Sequence, residues 1–264
     1  MVLNPTELIT SDKNTTVKLV KALLAQARQR KKHGQTVIEG VHLIDAALRS
    51  DYPFVQIILS ESARSHPEVQ QILTRLPTYT PILILSNSLY ESIRSLGTGI
   101  DIMAIINVPT PNLSMIDEDC LILNDVQDSG NVGTLLRTAA AVGIRNILCT
   151  SATAQAWSPK TLRAGMGAQF ALTIYEGLST QDILDHVKVP LLATSSHTDT
   201  LIYDHNLSAP VAWIMGHEGQ GVSDDLMQCA TPIALPQPNG QESLNVAIAG
   251  SLCLYETLRQ RQYS

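Results

Sequence analysis

Three times in its second half the chain runs from an apolar stretch, through a loop rich in Gly, Asn, Ser and Pro, into helical sequence. The segments are Leu123-Asn-Asp-Val-Gln-Asp-Ser-Gly-Asn-Val-Gly-Thr-Leu-Leu-Arg137, Ile214-Met-Gly-His-Glu-Gly-Gln-Gly-Val222 and Leu235-Pro-Gln-Pro-Asn-Gly-Gln-Glu-Ser-Leu-Asn-Val-Ala247. A strand that is apolar throughout is buried on both faces, which calls for a parallel sheet covered by helices. Loops that leave such strands gather at one edge of the sheet, where α/β proteins bind their ligands. The pattern predicts one composite site carrying Asn131, Arg137, Glu218, Ser243 and Asn245.

Composition narrows the class. With 264 residues, 44% apolar and only 16% charged, the chain is a folded protein of one large domain or two ordinary ones. The aromatic share is 4%, so the core rests on Leu, Ile, Val and Ala. No apolar run approaches the roughly 20 residues that span a bilayer, and Met1-Val-Leu-Asn-Pro-Thr-Glu lacks the basic-then-apolar build of a signal peptide. A cytoplasmic location is expected. Cys120, Cys149, Cys229 and Cys253 form no Cys-x-x-Cys pair and no Cys/His cluster, so reduced thiols and no metal are expected. The chain also has no Gly-x-Ser-x-Gly elbow for a hydrolase.

The first half alternates too. Residues 15–32 contain neither Gly nor Pro and predict one helix, with Asn14 as N-cap and Gly34 as stop. Its apolar side takes Leu19, Val20, Leu23, Leu24 and Ala27; Lys18, Lys21, Arg28 and Lys32 fall within about 80° on the other. Strands are expected at 54–60, 82–85 and 102–108, and helices at 41–50, 67–76 and 88–96, forming an α/β sandwich. The run Asn107-Val-Pro-Thr-Pro-Asn-Leu-Ser breaks both periodicities and reads as a linker. This divides the chain into 1–108, a linker at 109–117, and 118–264. In the last part, strands at 121–126, 145–150, 171–175, 190–195, 210–215 and 232–235 alternate with helices, the final one over 244–262.

The net charge of −6 hides an asymmetry. The first fifty residues hold eight Lys/Arg and four Asp/Glu, the remainder ten and twenty. Four like charges on one helix face, with no carboxylate among them, point to a polyanion such as RNA.

As an ordered set, the three segments resemble the motifs of the SpoU–TrmH branch of the SPOUT RNA methyltransferases over about residues 118 to 262. That resemblance implies S-adenosylmethionine-dependent methylation of a ribose 2′-hydroxyl, an α/β fold with a deep trefoil knot, and a homodimer formed through the motif loops and last helix, with Leu252, Leu254 and Leu258 as apolar material. It implies that the donor lies against backbone at Gly216, Leu235 and Leu244, near Gly219, with Met215 and Ala249 as apolar walls. Arg137 matches the catalytic arginine, with Asn131 orienting it or the ribose, Ser243 and Asn245 bonding ribose, phosphate or a facing loop, and Glu218 organising the loop or the subunit contact. Arg163, in Leu162-Arg-Ala-Gly-Met-Gly, is a second RNA contact by the same resemblance. Ser129 departs from a common proline, and His217 stands at a variable position and reads as an exposed loop histidine. The segments Lys13-Asn-Thr-Thr-Val-Lys and Val37-Ile-Glu-Gly-Val-His-Leu-Ile resemble the ribosomal-protein-like substrate-binding domain of these enzymes. Ribosomal RNA is the first expectation and transfer RNA the second. The competing readings are a non-catalytic RNA-binding or ribosome-assembly factor and a methyltransferase for a small molecule or protein.

Overall fold

The computed structural model describes residues 8–238 and 244–262. They divide into two compact units. One holds the described residues through Pro109 together with Trp157–Phe170; the other holds Thr110–Ala156 and the described residues from Ala171 onward.

In the first unit, strands β1 (Leu8–Ile9), β2 (Gln35–Glu39), β3 (Phe54–Ser60), β4 (Ile82–Leu85) and β5 (Ile102–Asn107) alternate with helices α1 (Thr15–Ala25), α2 (Ala27–His33), α3 (Val41–Arg49), α4 (Pro67–Arg75) and α5 (Asn87–Glu91). The sheet order is β1-β4-β3-β5-β2, with β5 antiparallel to both β3 and β2. Val17, Val20 and Leu23 of α1 pack on Val37, Ile58, Met103 and Ile105 from the strands.

The single helix expected over 15–32 is two helices, because the chain becomes extended at Gln26 (φ −129°, ψ 118°). Both predicted ends are present: Asn14 Oδ1 accepts from the Thr16 and Val17 amides, and Gly34 takes the left-handed conformation at φ 60°. At the break, Arg30 Nη1 donates to the Leu23 carbonyl at 2.8 Å, a group left without its helical donor. The break also changes the faces. Val17 joins the buried side, Ala27 is exposed, and the single basic arc becomes two pairs, Lys18 and Lys21 on α1 and Arg28 and Lys32 on α2, all exposed.

The second half supplies β6 (Cys120–Leu123), α6 (Ser129–Ala141), β7 (Asn146–Thr150), α7 (Pro159–Gly165), β8 (Thr173–Leu178), α8 (Thr180–His186), β9 (Leu191–Thr194), β10 (Ala212–Met215), α9 (Asp224–Met227), β11 (Thr231–Ile233) and α10 (Val246–Gln262). Helix α7 belongs to the first unit, where the Thr36 hydroxyl donates to the Trp157 carbonyl at 2.8 Å. Trp157 and Phe170 there both pack against Tyr52, with ring centroids 5.9 and 5.0 Å from it.

The six strands of the second unit run in the order β11-β9-β10-β6-β7-β8, and every pairing is parallel. The carboxyl ends of β6, β10 and β11 therefore share one edge, and each opens one of the three loops. Buried Cys120, Ile122, Leu148, Ala212 and Ile214 form the centre, covered by Ile183 and Leu226 among others. Gly250 draws α10 close to the sheet: a Cβ there would lie 2.4 Å from Leu135 of α6 and 3.0 Å from the Met215 sulfur. That approach sets the start of α10 beside the first loop. No helix among the described residues is long and apolar enough to cross a membrane.

Candidate active site

The first loop begins where β6 stops. The Asn124 amide donates to the Met215 carbonyl at 2.8 Å, extending the β6–β10 pairing by one rung. Asp125 then takes a left-handed conformation at φ 60°, held by Thr150, whose hydroxyl donates to Asp125 Oδ1 at 2.5 Å and accepts from the Asp125 amide at 2.8 Å. Asp128 caps α6 by accepting from the Asn131 amide at 2.9 Å. Ser129 is the first residue of α6, a position where proline is favoured because its missing N–H loses nothing.

The second loop is a tight turn. The His217 amide donates to the Gly221 carbonyl at 2.9 Å, and the Gly221 amide returns to the His217 carbonyl at 2.8 Å. Gly221 has φ 75°, and a Cβ on Gly216 would lie 2.2 Å from the Gly221 carbonyl carbon, so neither position admits another residue without distortion. His217 is half-buried rather than exposed. Its Nδ1 accepts from the Gly219 and Gln220 amides at 2.9 and 3.2 Å, which places the ring proton on Nε2.

Three polar side chains join the loops. Glu218, at the tip of the second, accepts from the Gln127 amide (3.3 Å), the Asp128 amide (3.2 Å) and Asn131 Nδ2 (3.0 Å) of the first. Asn245, in the third, donates from Nδ2 to Asn131 Oδ1 at 3.0 Å. Its Oδ1 caps α10 by accepting from the Ala247 and Ile248 amides at 2.9 and 3.2 Å. Partial desolvation pushes the Glu218 carboxyl up, but the Asn131 side chain and the amides of Glu218, Asp128 and Gln127 outweigh it and hold it below the ordinary carboxylate range.

Arg137 stands apart from this chain. It is exposed on α6, and its side chain forms no hydrogen bond or ion pair with any described residue. The expected Asn131–Arg137 contact is absent for a geometric reason: six positions along a helix turn the side chain about 240°. Both ends of the Asn131 amide are occupied by Glu218 and Asn245.

The residue order of these loops matches a known profile, that of the SpoU rRNA Methylase family, over residues 119–255. The chain belongs to the SpoU rRNA methylase family. Residues 14–104 match a second profile, the MRM3-like substrate binding domain. An uncharacterized tRNA/rRNA methyltransferase of Synechocystis is 31% identical over 264 residues, covering 96% of this chain and 94% of its own. The 23S rRNA (guanosine(2553)-2′-O)-methyltransferase RlmP of Bacillus subtilis is 31% identical, covering 94% and 97%. Among solved structures, the AdoMet-bound rRNA methyltransferase of Sinorhizobium meliloti superposes with a TM-score of 0.85 at 26% identity, covering 98% of this chain and 99% of that one.

Within this SpoU chain, the positions expected to hold the donor lie along the carboxyl edge. Met215 and Gly216 are buried, Leu235 and Ala249 half-buried, Gly219 and Leu244 exposed. The backbone groups of Gly216, Leu235 and Leu244 form no hydrogen bond with any described residue, leaving three sets of main-chain donors and acceptors open. Ser243 lies outside the described residues. Arg163 is occupied within the first unit, donating to Glu39 Oε2 at 3.3 Å and to the Ser95 hydroxyl at 3.0 Å. Glu39 is only 5% exposed and also accepts from the Ser95 amide at 2.8 Å. The arginine is thus the counter-ion of a buried carboxylate.

Sequence reasoning passed over Asn124, Asp125, Asp128 and Thr150 and misjudged His217. An Asn-Asp pair at the end of an apolar strand was the available signal, since both residues tolerate left-handed backbone and turn hydrogen bonds. Among the described residues no cluster of His, Cys, Asp and Glu could hold a metal. Burial, with Asp119 and Glu118 nearby, pushes the Cys120 thiol up to about 12, and Cys253 rises to about 12 chiefly by burial, so neither is a nucleophile.

Proposed function

We propose that this SpoU chain transfers a methyl group from S-adenosylmethionine to a ribose 2′-hydroxyl of ribosomal RNA. The observation that carries the reading is the Glu218–Asn131–Asn245 chain, which joins three separate loops at the carboxyl edge of a parallel sheet. The family and the rRNA methyltransferase relatives support the substrate class. The open backbone groups at Gly216, Leu235 and Leu244 fit a nucleoside held by main-chain contacts, with Met215 and Ala249 as apolar neighbours.

When bound, S-adenosylmethionine supplies an electrophilic methyl group on sulfur. The protein's part is alignment and charge. The clamped loops hold donor and acceptor sites in one geometry, the kind of positioning worth roughly 7–11 kcal/mol in the best intramolecular cases. Arg137, whose side chain has no partner among the described residues, binds an RNA phosphate beside the reacting ribose and stabilises the developing alkoxide. A guanidinium keeps its proton in a protein and does not act as a base, so the hydroxyl proton leaves to phosphate or water. Lys18, Lys21, Arg28 and Lys32 supply sequence-independent phosphate contacts from the first unit.

The reading extends to a cytoplasmic homodimer and to a deep trefoil knot. The apolar stripe for a second copy is Ile248, Leu252 and Tyr255, which are 54%, 48% and 53% exposed. Leu254 is instead fully buried in its own unit and Leu258 half-buried.

The test is tritiated methyl transfer to undermethylated ribosomal RNA, with transfer RNA in parallel. Arg137→Ala should lose about 100-fold or more in transfer while still binding donor. Unchanged transfer by that variant would remove Arg137 from the chemistry. Donor binding without transfer to either RNA would favour the non-catalytic reading.

A further inference from the structure

One buried residue holds both ends of the second loop, one by its backbone N–H and the other by its side chain. Asn124 is 3% exposed. Its amide donates to the carbonyl of Met215, the residue before the loop, at 2.8 Å. Its Oδ1 accepts from the amide of Ser223, the residue after the loop, at 2.7 Å. The seven residues from Gly216 to Val222 are therefore pinched at the neck by a residue of the first loop. The same neck is tight enough that a Gly216 Cβ would lie 2.3 Å from the Val222 nitrogen. Glu218 fixes the tip of this loop to Gln127, Asp128 and Asn131.

We propose that Asn124 is a positioning residue for the donor site, holding the neck of the Gly216–Val222 loop so that the Gly216 backbone faces the donor before it arrives. The inference rests on the functional reading above. It follows from the requirement that a backbone-lined site keep its shape in the absence of ligand, since a loop that is closed only part of the time binds with affinity reduced by that fraction. Among the described residues the Asn124 side chain forms this hydrogen bond through Oδ1 alone. An aspartate there keeps the acceptor, whereas alanine removes it.

Two measurements on the full-length chain test the assignment. The first is amide hydrogen exchange in the ligand-free protein: Asn124→Ala should speed exchange at Ser223 and through residues 216–222, and Asn124→Asp should leave it near wild type. The second is titration with S-adenosylhomocysteine and steady-state kinetics. Asn124→Ala should weaken binding of the product and raise the KM for S-adenosylmethionine about tenfold, the worth of one hydrogen bond. The KM for RNA should stay unchanged, and Asn124→Asp should restore donor binding to within about threefold. Unchanged exchange at Ser223, equal impairment by alanine and aspartate, or parallel rises in both KM values would overturn the proposal. If exchange responds as expected but the wild type binds no S-adenosylhomocysteine, the functional reading fails and the donor-site role with it, while the neck remains as geometry.

Discussion

Replacing Glu218 tests whether the first and second loops are held together by its charge. Its carboxylate accepts three cross-loop hydrogen bonds at 3.0–3.3 Å. A hydrogen bond to a charged group contributes about 1.5–3 kcal/mol when well buried. Glu218 is exposed and two of the bonds are long, so solvent screening reduces the sum. A loss of about 1–2 kcal/mol for Glu218→Ala at pH 7 follows, or a few degrees in melting temperature for a unit of this size. The sign with pH is set by the folded carboxyl lying below its ordinary range. Stabilisation is complete above the unfolded value of about 4.3 and is lost as pH falls through the lower folded value. Trp213 reports on this unit, being fully buried with its indole N–H donating to Thr257 at 2.9 Å. Urea unfolding followed by Trp213 fluorescence, in a Trp157→Phe background, should show a difference between wild type and Glu218→Ala that is constant from pH 7 to about 5 and shrinks as the pH falls below about 4. Glu218→Gln, which has one acceptor where three donors converge, should fall between the two at pH 7. A difference that stays flat across this range, or no difference at pH 7, would refute a charge-based clamp.

Two further substitutions probe close contacts. Gly216→Ala should abolish donor binding measured calorimetrically and lower stability by about 1–3 kcal/mol, the usual result of forcing atoms into a filled space, because its Cβ meets backbone that has no side chain to move aside. Arg163→Ala should destabilise the first unit by about 1–3 kcal/mol, since it strips a buried carboxylate of its counter-ion, and Glu39→Gln in the same chain should recover part of that loss. Trp157 fluorescence during denaturation reads both variants. RNA affinity that drops with no loss of stability would instead return Arg163 to the RNA surface.

Much of the architecture was legible because it depends on local pattern. Fully apolar runs marked the strands of the second unit, and β3 and β4 begin and end where the pattern placed them. The departures have tertiary causes. No Gly or Pro marks the break at Gln26; the Arg30 guanidinium, reaching back to Leu23, satisfies what the break exposes. The resemblance offered Leu254 as apolar material for a subunit contact, but α10 lies so close to the sheet at Gly250 that Leu254 is buried. Arg163 was read by the resemblance of its segment, and the partner that claims it lies 124 positions away in the chain. No window of sequence displays that pairing.

The site shows the same division at finer scale. Motif residues were read with alternative roles, on the substrate or between loops, and their hydrogen bonds separate them. Asn131 uses both amide atoms within the protein, Glu218 uses its carboxylate on three donors, and Asn245 uses its carbonyl on its own helix. Groups satisfied internally have little left to offer a ribose, and their removal acts through the shape of the loops. Arg137 has the opposite character: it is exposed, charged and without a side-chain partner among the described residues. Pre-formed loops beside a cation with no side-chain partner among the described residues suit a reaction whose reactants need alignment more than proton exchange with the protein. Variants of the first group should therefore weaken donor binding and stability together, whereas Arg137→Ala should leave both near wild type and lower the rate of transfer. The reverse pattern would mean that the arginine builds the site and the clamp performs the chemistry.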